Sequence, residues 1–474
     1  MAFLFIHPLL KEIAGLFKAR GREVCLVGGA VRDMLRGRKA QDWDLATDAP
    51  PEEVTDIFRN TQPRAKVIPT GIRHGTVTVL YKGRSIEVTT YRTEADYSDG
   101  RRPDQVHYAA SIEEDLSRRD FTMNAVALRL AKGTHVGALK GASNGKKVDP
   151  FGGEADIKAR LIRCVGDPAQ RFAEDGLRPL RAVRFAAQLS FKIEEQTLAA
   201  IGGALETSAK VAAERVKDEL DKILASDKPS IAFLLMEQTG LLRLFLPELA
   251  VCRGIEQKGS HRFDVLDHSL MACDFAARKG CSAEVRFAAL LHDVGKPGAQ
   301  SFDETGERIF HQHDAESARI ARNALSRLRF PNAFVDQVCH LVAEHMFHYT
   351  DDWSDAAVRR FVVRIGKENL PALYQLRRAD TFANAGSEPP SSYLLPLIDR
   401  VEGILAESQA FSLRDLAVSG RDLMAMGIEP GKNLGKILNE LLEAVLDDPE
   451  LNTREDLLVI AKKLHGKFAD QGSG

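Results

Sequence analysis

No two of the six cysteines (Cys25, Cys164, Cys252, Cys273, Cys281, Cys339) form a CxxC pair, and they are scattered along the chain. This argues against a zinc ribbon or a disulfide framework and suits reduced thiols in the cytoplasm. Apolar runs long enough to span a membrane are missing too. The N-terminal MAFLFIHPLLKEIAG is apolar but lacks a basic start and a small-residue cleavage site. It reads as the first amphipathic helix, not as a signal peptide. There is no surplus of positive charge either: 65 Lys and Arg stand against 67 Asp and Glu, a formal net charge of −2. An RNA partner usually meets basic surface, so such a partner requires charge segregated into a local groove. What remains is ordinary for a soluble protein, 44% hydrophobic and 28% charged over 474 residues, enough for two to four domains.

The most informative stretch is 26–47, LVGGAVRDMLRGRKAQDWDLAT. Cys25, Leu26 and Val27 read as the end of a buried strand. Gly28 and Gly29 allow a tight turn and leave the backbone open to a phosphate. Residues 31–35 read as a short helix carrying Arg32 and Asp33. In an extended strand, residues two apart share a face, so Asp42 and Asp44 set two carboxylates side by side. Hard oxygen ligands of this kind suit Mg²⁺, the ion that handles nucleoside triphosphates. The plain alternative is a surface turn with two solvated aspartates.

Further on, 67–69, 75–81 and 85–90 read as strands, with a hairpin turn at 82–84. Glu87 reads as a hydrated edge residue, with a third carboxylate near the metal as the alternative. Residues 92–116 are polar and turn-rich, a loop long enough to be functional or mobile. In SRRDFTMNAVAL, 117–128, one of Arg118 and Arg119 can meet a triphosphate while the other packs or pairs. Asp120 and Asn124 are four apart and can share a helical face, where they can bond ribose hydroxyls; Asp120 can also cap a helix. Pro150, Gly152 and Gly153 mark a boundary, after which the pattern is helical. In 171–193, Arg178, Arg181 and Arg184 recur every three residues as a basic stripe, with Pro179 in the first turn.

Eight of the thirteen histidines fall between His261 and His348. His268 opens an apolar helix, His292 and Asp293 lie in LLHDVGKP with Lys296, and His313, His345 and Asp380 follow.

The frame apolar-x-GG-x-x-RD followed by DxD-x-x-T resembles the class II tRNA nucleotidyltransferase and bacterial poly(A) polymerase family. RRDFTMNA resembles its second motif, which recognises ribose and triphosphate. EDGLR resembles its EDxxR motif, whose acid and arginine select the incoming base. Gly176 departs from that motif, where Pro or Ala is implied, and should loosen the helix start. The 92–116 segment resembles the element associated with switching from cytidine to adenosine addition, and it is not obviously shortened here. AERVKDELDKILA resembles the next helix, with Glu214, Arg215 and Lys217 structural or backbone-contacting. The order H…HD…D resembles the HD phosphohydrolase family. It implies His268, His292, Asp293 and Asp380 as ligands of a divalent transition metal, with His313 and His345 completing a second metal or acting on the substrate. The tail at 427–435 resembles a helix–turn–helix RNA contact or is a plain helical hairpin, and 467–474 should be disordered.

The resemblance implies an α+β fold: a nucleotidyltransferase (DNA polymerase β-like) head with a small β-sheet at 1–150, then an all-α body. The body divides into a base-selecting neck at 151–250, an HD domain at 251–390 and a tRNA-binding tail at 391–474. It implies template-independent addition of CCA to the 3′ end of tRNA from CTP and ATP in the cytoplasm, with Mg²⁺ on Asp42 and Asp44. Gly28, Gly29, Arg32, Arg119, Asp120, Asn124, Asp175, Arg178, Arg181 and Arg184 then bind the nucleotide. The alternatives are an A-adding enzyme, a poly(A) polymerase, an RNA-binding protein with a silent head, and a phosphohydrolase whose head only senses nucleotides.

Overall fold

A computed structural model describes residues 6–40, 42–72, 75–95, 105–130, 145–257, 263–407 and 411–471. The chain divides into two compact units, 1–250 with 327–330, and 251–326 with 331–474.

In the first unit, helix α1 (Pro8–Ala19) precedes β1 (Val24–Val27), α2 (Gly29–Leu35), β2 (Trp43–Thr47) and α3 (Pro51–Arg59). Strands β3 (Lys66–Gly71), β4 (Thr76–Tyr81) and β5 (Arg84–Thr90) follow. A second pair, β6 (Arg92–Ala95) with β7 (Gln105–Tyr108), and helix α4 (Ile112–Ser117) occupy the stretch expected to be one long loop. The part of that loop at 96–104 lies outside the described residues. Strands β8 (Ala127–Leu130) and β9 (Gly145–Val148) complete a seven-stranded sheet of order β3-β4-β5-β2-β1-β8-β9.

β1 is VCLV, buried at every position, because it lies between β2 and β8 with both faces covered. β4 and β5 instead alternate: Val77, Val79, Ile86 and Val88 face the core, each worth roughly 1.5–3 kcal/mol of burial. Their turn is Lys82-Gly83, both at positive φ (48° and 76°), the geometry of a two-residue hairpin.

β5 is not an edge. It pairs with β4 on one side and, in parallel, with β2 on the other, where Asp44 is the register partner of Glu87. The expected hydrated edge residue therefore stands beside the acidic pair. Sequence reveals the β4–β5 hairpin, but not the crossover that lays β5 against β2.

Past β9 run α5 (Gly153–Ala159), the short strands β10 (Leu161–Ile162) and β11 (Lys192–Ile193), and between these two α6 (Pro168–Glu174) and α7 (Arg178–Leu189). Helices α8 (Glu195–Gly203), α9 (Leu205–Ala209) and α10 (Ala213–Leu224) follow. Pro179 sits in the first turn of α7, where no intrahelical N–H bond is lost.

The second unit is helical apart from one two-stranded pair, among the described residues. The helices Val265–Arg278, Ala283–Leu291 and Leu370–Ala385 pack together through buried Leu266, Leu270, Leu290 and Leu373. A separate apolar cluster, including Leu423, Ile428, Ile437, Leu441 and Leu457, holds the C-terminal helices Gly420–Ala425, Lys432–Asp447 and Arg454–Gln471. The last of these continues through Gln471, so the expected disorder from 467 does not begin there; residues 472–474 lie outside the described residues. No helix is long and apolar enough to cross a membrane, among the described residues.

Candidate active site and metal centre

The head site starts at Gly28, whose φ of 68° turns the chain from β1 into α2. A Cβ there would stand 3.1 Å from Arg119 Nη1 and 3.3 Å from Asp44 Oδ2. The missing side chain thus lets a cation and an acid approach the same backbone turn. Asp44 emerges from β2 with Asp42 just before the strand and Glu87 across on β5. Partial burial, then the charge of Glu87, raises the Asp44 carboxyl above its ordinary range, with Arg119 opposing and Asp42 adding to the rise. Such crowding of carboxylates is what a bound cation relieves, so the donor set fits Mg²⁺.

Asp42 and Asp44 line a cleft of about 560 Å³ together with Arg32, Arg36, Arg38 and Lys39, and with Gln188, Leu189 and Ala225. Asp33, which pairs with Arg32 and Arg36, and Asp227 line it too, so cations and acids are balanced there.

Arg118 and Arg119 divide their contacts. Arg118 donates to buried Asp115 (3.0 and 2.8 Å), and Arg119 reaches that same carboxylate at 3.3 Å while lying against the Gly28 turn.

Asp120 and Asn124 meet as expected, but not on a helix: Asn124 ends a single 3₁₀ turn (Thr122–Asn124) that Asp120 precedes, and neither is exposed. Asp120 accepts from the Phe121 N–H (2.8 Å), from Asn124 (3.0 Å) and from Arg181 (2.8 Å at Nε), so it is no helix cap. Asn124 in turn accepts from Arg32 at 3.0 Å. The chain Arg32–Asn124–Asp120–Arg181 thereby ties helix α2 to α7.

The arginine stripe of α7 is neither solvated nor a row of free cations. Arg178 is buried against Glu174 and donates to the carbonyls of Arg171 (2.8 Å) and Arg118 (3.1 Å). Arg181 pairs with Asp120, and buried Arg184 pairs with buried Glu219 and lies 3.8 Å over the Phe185 ring. The charge of Arg184 is thus compensated inside the fold by Glu219. Asp175 and Arg178 do not pair with each other. Asp175 caps the end of α6 and is gripped by both Nη atoms of Arg215 from α10 (3.2 and 2.8 Å). Arg215, expected only as a structural or backbone contact, is therefore a direct partner of the proposed base reader. The residues Arg215 and Glu219, four apart on α10, carried that signal as an i,i+4 pair on one face. Gly176 does not loosen its turn: a Cβ there would stand 2.3 Å from the Thr207 carbonyl oxygen, and Ser208 Oγ donates to the Gly176 carbonyl at 2.8 Å.

Burial works to raise the Asp120 carboxyl, but the charge of Arg181 and the Asn124 amide outweigh it and hold the group well below the usual range. A depressed folded value means the pair's stability is present above the ordinary carboxylate range and is lost as pH falls. Asp120→Asn should cost the first unit ~1–3 kcal/mol at pH 7, below the figure for a fully buried pair because the Arg181 side chain keeps 32% of its exposure. Melting curves of both proteins from pH 7 to about 2 check this: the gap should hold down to the ordinary carboxylate range and narrow below it, and a gap that stays constant throughout would assign the cost to packing.

In the second unit, six candidate ligands converge in a closed pocket. His268 Nε2 and His292 Nε2 lie 3.0 Å apart, and Asp380 Oδ1 lies 3.2 and 3.7 Å from them. Asp293 Oδ2 is 3.4 and 3.3 Å from the same two nitrogens, and Asp293 Oδ1 is 3.2 Å from His313 Nε2 and 3.8 Å from His345 Nε2. All six residues are buried. His292, His313 and His345 each set Nδ1 at 2.9, 2.9 and 2.6 Å from the carbonyl three residues earlier (Ala289, Phe310, Val342). An Nδ1–H donated there leaves Nε2 as the free lone pair aimed inward, the usual support of a metal-ligating histidine. Burial works to lower His292, but Asp293 and Asp380 lift it to about 10; burial and then the charge of His292 push His345 down to about 4. Asp293 Oδ1 and His313 Nε2 are buried and, despite their closeness, lack hydrogen-bond geometry. Unsatisfied inward donor atoms of nitrogen and oxygen type fit a divalent transition metal. Lys296 donates to Asp293 Oδ2 (2.6 Å) and to Gln257 (2.5 Å), the latter unforeseen in the sequence.

The sheet, its acidic cleft and the helical body define the class, a nucleotidyltransferase joined to an HD domain. Family models agree: the poly A polymerase head domain matches 24–163, the probable RNA and SrmB-binding site of polymerase A matches 190–252, and the HD domain matches 265–385. The chain is 32% identical over 465 residues to a CCA-adding enzyme of Enterococcus faecalis, covering 97% of this chain and 96% of that one. It is 36% identical over 438 residues to an A-adding tRNA nucleotidyltransferase of Deinococcus radiodurans, covering 88% and 90%. The structure of the Bacillus stearothermophilus CCA-adding enzyme in complex with CTP superposes with a TM-score of 0.70 at 28% identity, over 99% of this chain and 100% of that one. The chain belongs to the family of CCA-adding and A-adding tRNA nucleotidyltransferases.

Proposed function

We propose that this protein rebuilds the CCA end of tRNA from CTP and ATP, without a nucleic-acid template, and that its HD site is a metal-dependent phosphohydrolase. The observation that carries the first reading is the acidic group of Asp44 at the Gly28 turn, Glu87 in register with it and Asp42 nearby, with Asp42 and Asp44 sharing a cleft with Arg32, Arg36, Arg38 and Lys39. The terminal ribose hydroxyl of the tRNA attacks the α-phosphorus in line, the bond to the β-phosphate breaks, and pyrophosphate leaves with its electron pair. Asp42 and Asp44 would hold Mg²⁺, which when bound supplies charge neutralisation and lowers the cost of deprotonating the hydroxyl. The Gly28–Gly29 turn, Arg32 and Arg119 receive the triphosphate, and Asn124, anchored by Asp120, lies on the ribose side.

Asp175 and Arg178 read the base edge. The grip of Arg215 is compatible with this role: Oδ1 accepts from the Leu177 N–H and from Arg215, while Oδ2 accepts from Arg215 and has a second lone pair for a base amino group. Arg178 has five N–H donors and directs at least three of them to protein acceptors, which fixes the plane of the remainder. The four functional parts expected from the sequence then correspond to catalysis, base choice, hydrolysis and RNA contact. Six buried cysteines, none of them in a disulfide, suit a reducing cytoplasm.

In the HD site, His268, His292, Asp293 and Asp380 would hold a divalent transition metal, which when bound supplies an acidified water for attack on a phosphate ester.

Incubation with tRNA lacking CCA and each labelled triphosphate tests the first reading. Two cytidines and one adenosine are expected. Adenosine alone, only on tRNA ending in CC, would favour the A-adding activity of the Deinococcus relative; a long adenosine run would favour a polymerase; and no incorporation would leave a binding or sensing head. His292→Ala and Asp293→Ala are each expected to abolish transition-metal-dependent phosphate-ester hydrolysis and to leave nucleotide addition within about twofold. Wild-type protein without hydrolysis under any such metal would make the HD site structural.

A further inference from the structure

The first unit has a second cavity, on the far face of β2. Strand alternation sends Asp42 and Asp44 to the cleft and Trp43, between them, to the opposite side. There Trp43 and Met34, both buried, form the floor of a cavity of about 350 Å³. Its rim carries half-buried His7 and Arg84 and exposed Arg38 and Lys39. Among the described residues no Asp or Glu lines it, and Arg38 and Lys39 have no acid partner. In this it differs from the cleft, where acids balance the cations.

The walls are flat. The His7 and Trp43 rings lie 5.0 Å apart, and the Arg84 guanidinium carbon lies 4.5 Å from the Trp43 ring centroid. Planes of this kind accept a further ring by stacking. His7 Nδ1 accepts from the Leu9 N–H at 3.2 Å, which puts the proton of the neutral ring on Nε2 as a donor. Burial, and then the charges of Arg84 and Lys39, lower the His7 pKa. The field that disfavours a proton there favours an anion. The volume lies at the small end of ligand pockets, enough for one mononucleotide and too little for a strand of RNA.

We propose that this cavity binds a nucleoside monophosphate, its base against the His7 and Arg84 planes and its phosphate on Arg38 and Lys39, and that occupancy weakens the cleft's hold on RNA. The coupling follows from shared residues, since Arg38 and Lys39 line both cavities. A phosphate that draws them takes two cations from the cleft, and by linkage bound RNA weakens the nucleotide by the same factor. The coupling rests on the reading of the cleft as the site of nucleotide addition; the binding does not.

The chain has two tryptophans, Trp43 and Trp353, so full-length Trp353→Phe carries one reporter, at the cavity. AMP, adenosine and inorganic phosphate are titrated without divalent ion, by quenching and by equilibrium dialysis. Saturable binding of AMP is expected, about tenfold or more tighter than either fragment. Arg84→Gln, and Lys39→Gln at an exposed position, should each weaken it by about tenfold; circular dichroism checks their folds. Arg84 lines this cavity and not the cleft, so unchanged binding in folded Arg84→Gln would place AMP elsewhere and overturn the site. Phosphate binding as tightly as AMP would overturn the nucleotide, and no AMP binding by either method would overturn the whole proposal. Addition to tRNA at saturating CTP tests the coupling. AMP should raise the tRNA concentration for half-maximal rate by about threefold or more in the parent and not in Arg84→Gln. Equal inhibition in both would be competition in the cleft and would overturn the coupling. Protein that binds AMP through Arg84 but adds no nucleotide would overturn the reading of the cleft, and the coupling with it, while upholding the site.

Discussion

Alanine at Asp44 is expected to lower nucleotide addition by roughly a thousandfold or more, while tRNA binding survives. The carboxylate is placed by β2 and stands in register with Glu87, with Arg119 at the turn beside it. No other described acid shares that position between Glu87 and the Gly28 turn, so removing it leaves the reacting centre without its central oxygen donor. Asp42→Ala should match it, since Asp42 lines the same cleft. Glu87→Gln should cost less, about tenfold, because it keeps the shape and removes a charge that does not line the cleft. Binding should persist because polyanion contact falls to Arg36, Arg38 and Lys39 across the cleft, and losing an acid does not weaken that wall. Single-turnover addition in Mg²⁺, beside filter binding of tRNA, makes the comparison. Near-wild-type turnover in either aspartate variant would remove that residue from the site.

Asp175→Ala is expected to flatten the preference for CTP over UTP by about tenfold to a hundredfold. Cytosine and adenine share an edge, an exocyclic amino donor beside a ring-nitrogen acceptor, and uracil and guanine reverse it. A carboxylate accepts from the amino group and a guanidinium donates to the ring nitrogen. A wrong base would leave these polar groups unpaired at roughly 1–3 kcal/mol each, and ~1.4 kcal/mol is one decade. The ion pair with Arg215 tests whether this acid does more than hold α6 to α10. Arg215→Ala removes that tie and leaves the carboxylate, so it should lower stability at least as much as Asp175→Ala yet flatten the preference less. Incorporation of all four triphosphates by the three proteins, with melting curves, separates the two. An unchanged CTP:UTP ratio in folded Asp175→Ala would reduce the residue to a salt bridge.

The parts of the site legible in the sequence are those built from neighbours. The Gly28 turn, the DxD pair and the RRD segment follow from backbone freedom and alternation over a few residues. The Arg178, Arg181 and Arg184 stripe shows why the rest was not legible. A row of cations every three residues looks the same whether water or buried acids face it, and two of the acids lie far off in the chain. Asp120 is 61 residues from Arg181, and Glu219 is 35 from Arg184. Glu87 was misplaced for a related reason, since a parallel crossover joins β2 to β5 without local signal. In the HD pocket, residue types and their order pointed to the cluster, but the i−3 carbonyls that orient three of the imidazoles carry no side-chain signature.

The contact at Gly176 has a consequence for inheritance. A Cβ at this position and the present course of α9 are mutually exclusive, since the Thr207 carbonyl carbon and the Ser208 nitrogen would lie within 2.6 and 2.8 Å of it. A family member with alanine or proline in this motif must route its 205–209 segment differently. A chimera that takes alanine or proline at 176 while keeping the present 205–209 segment therefore meets a collision.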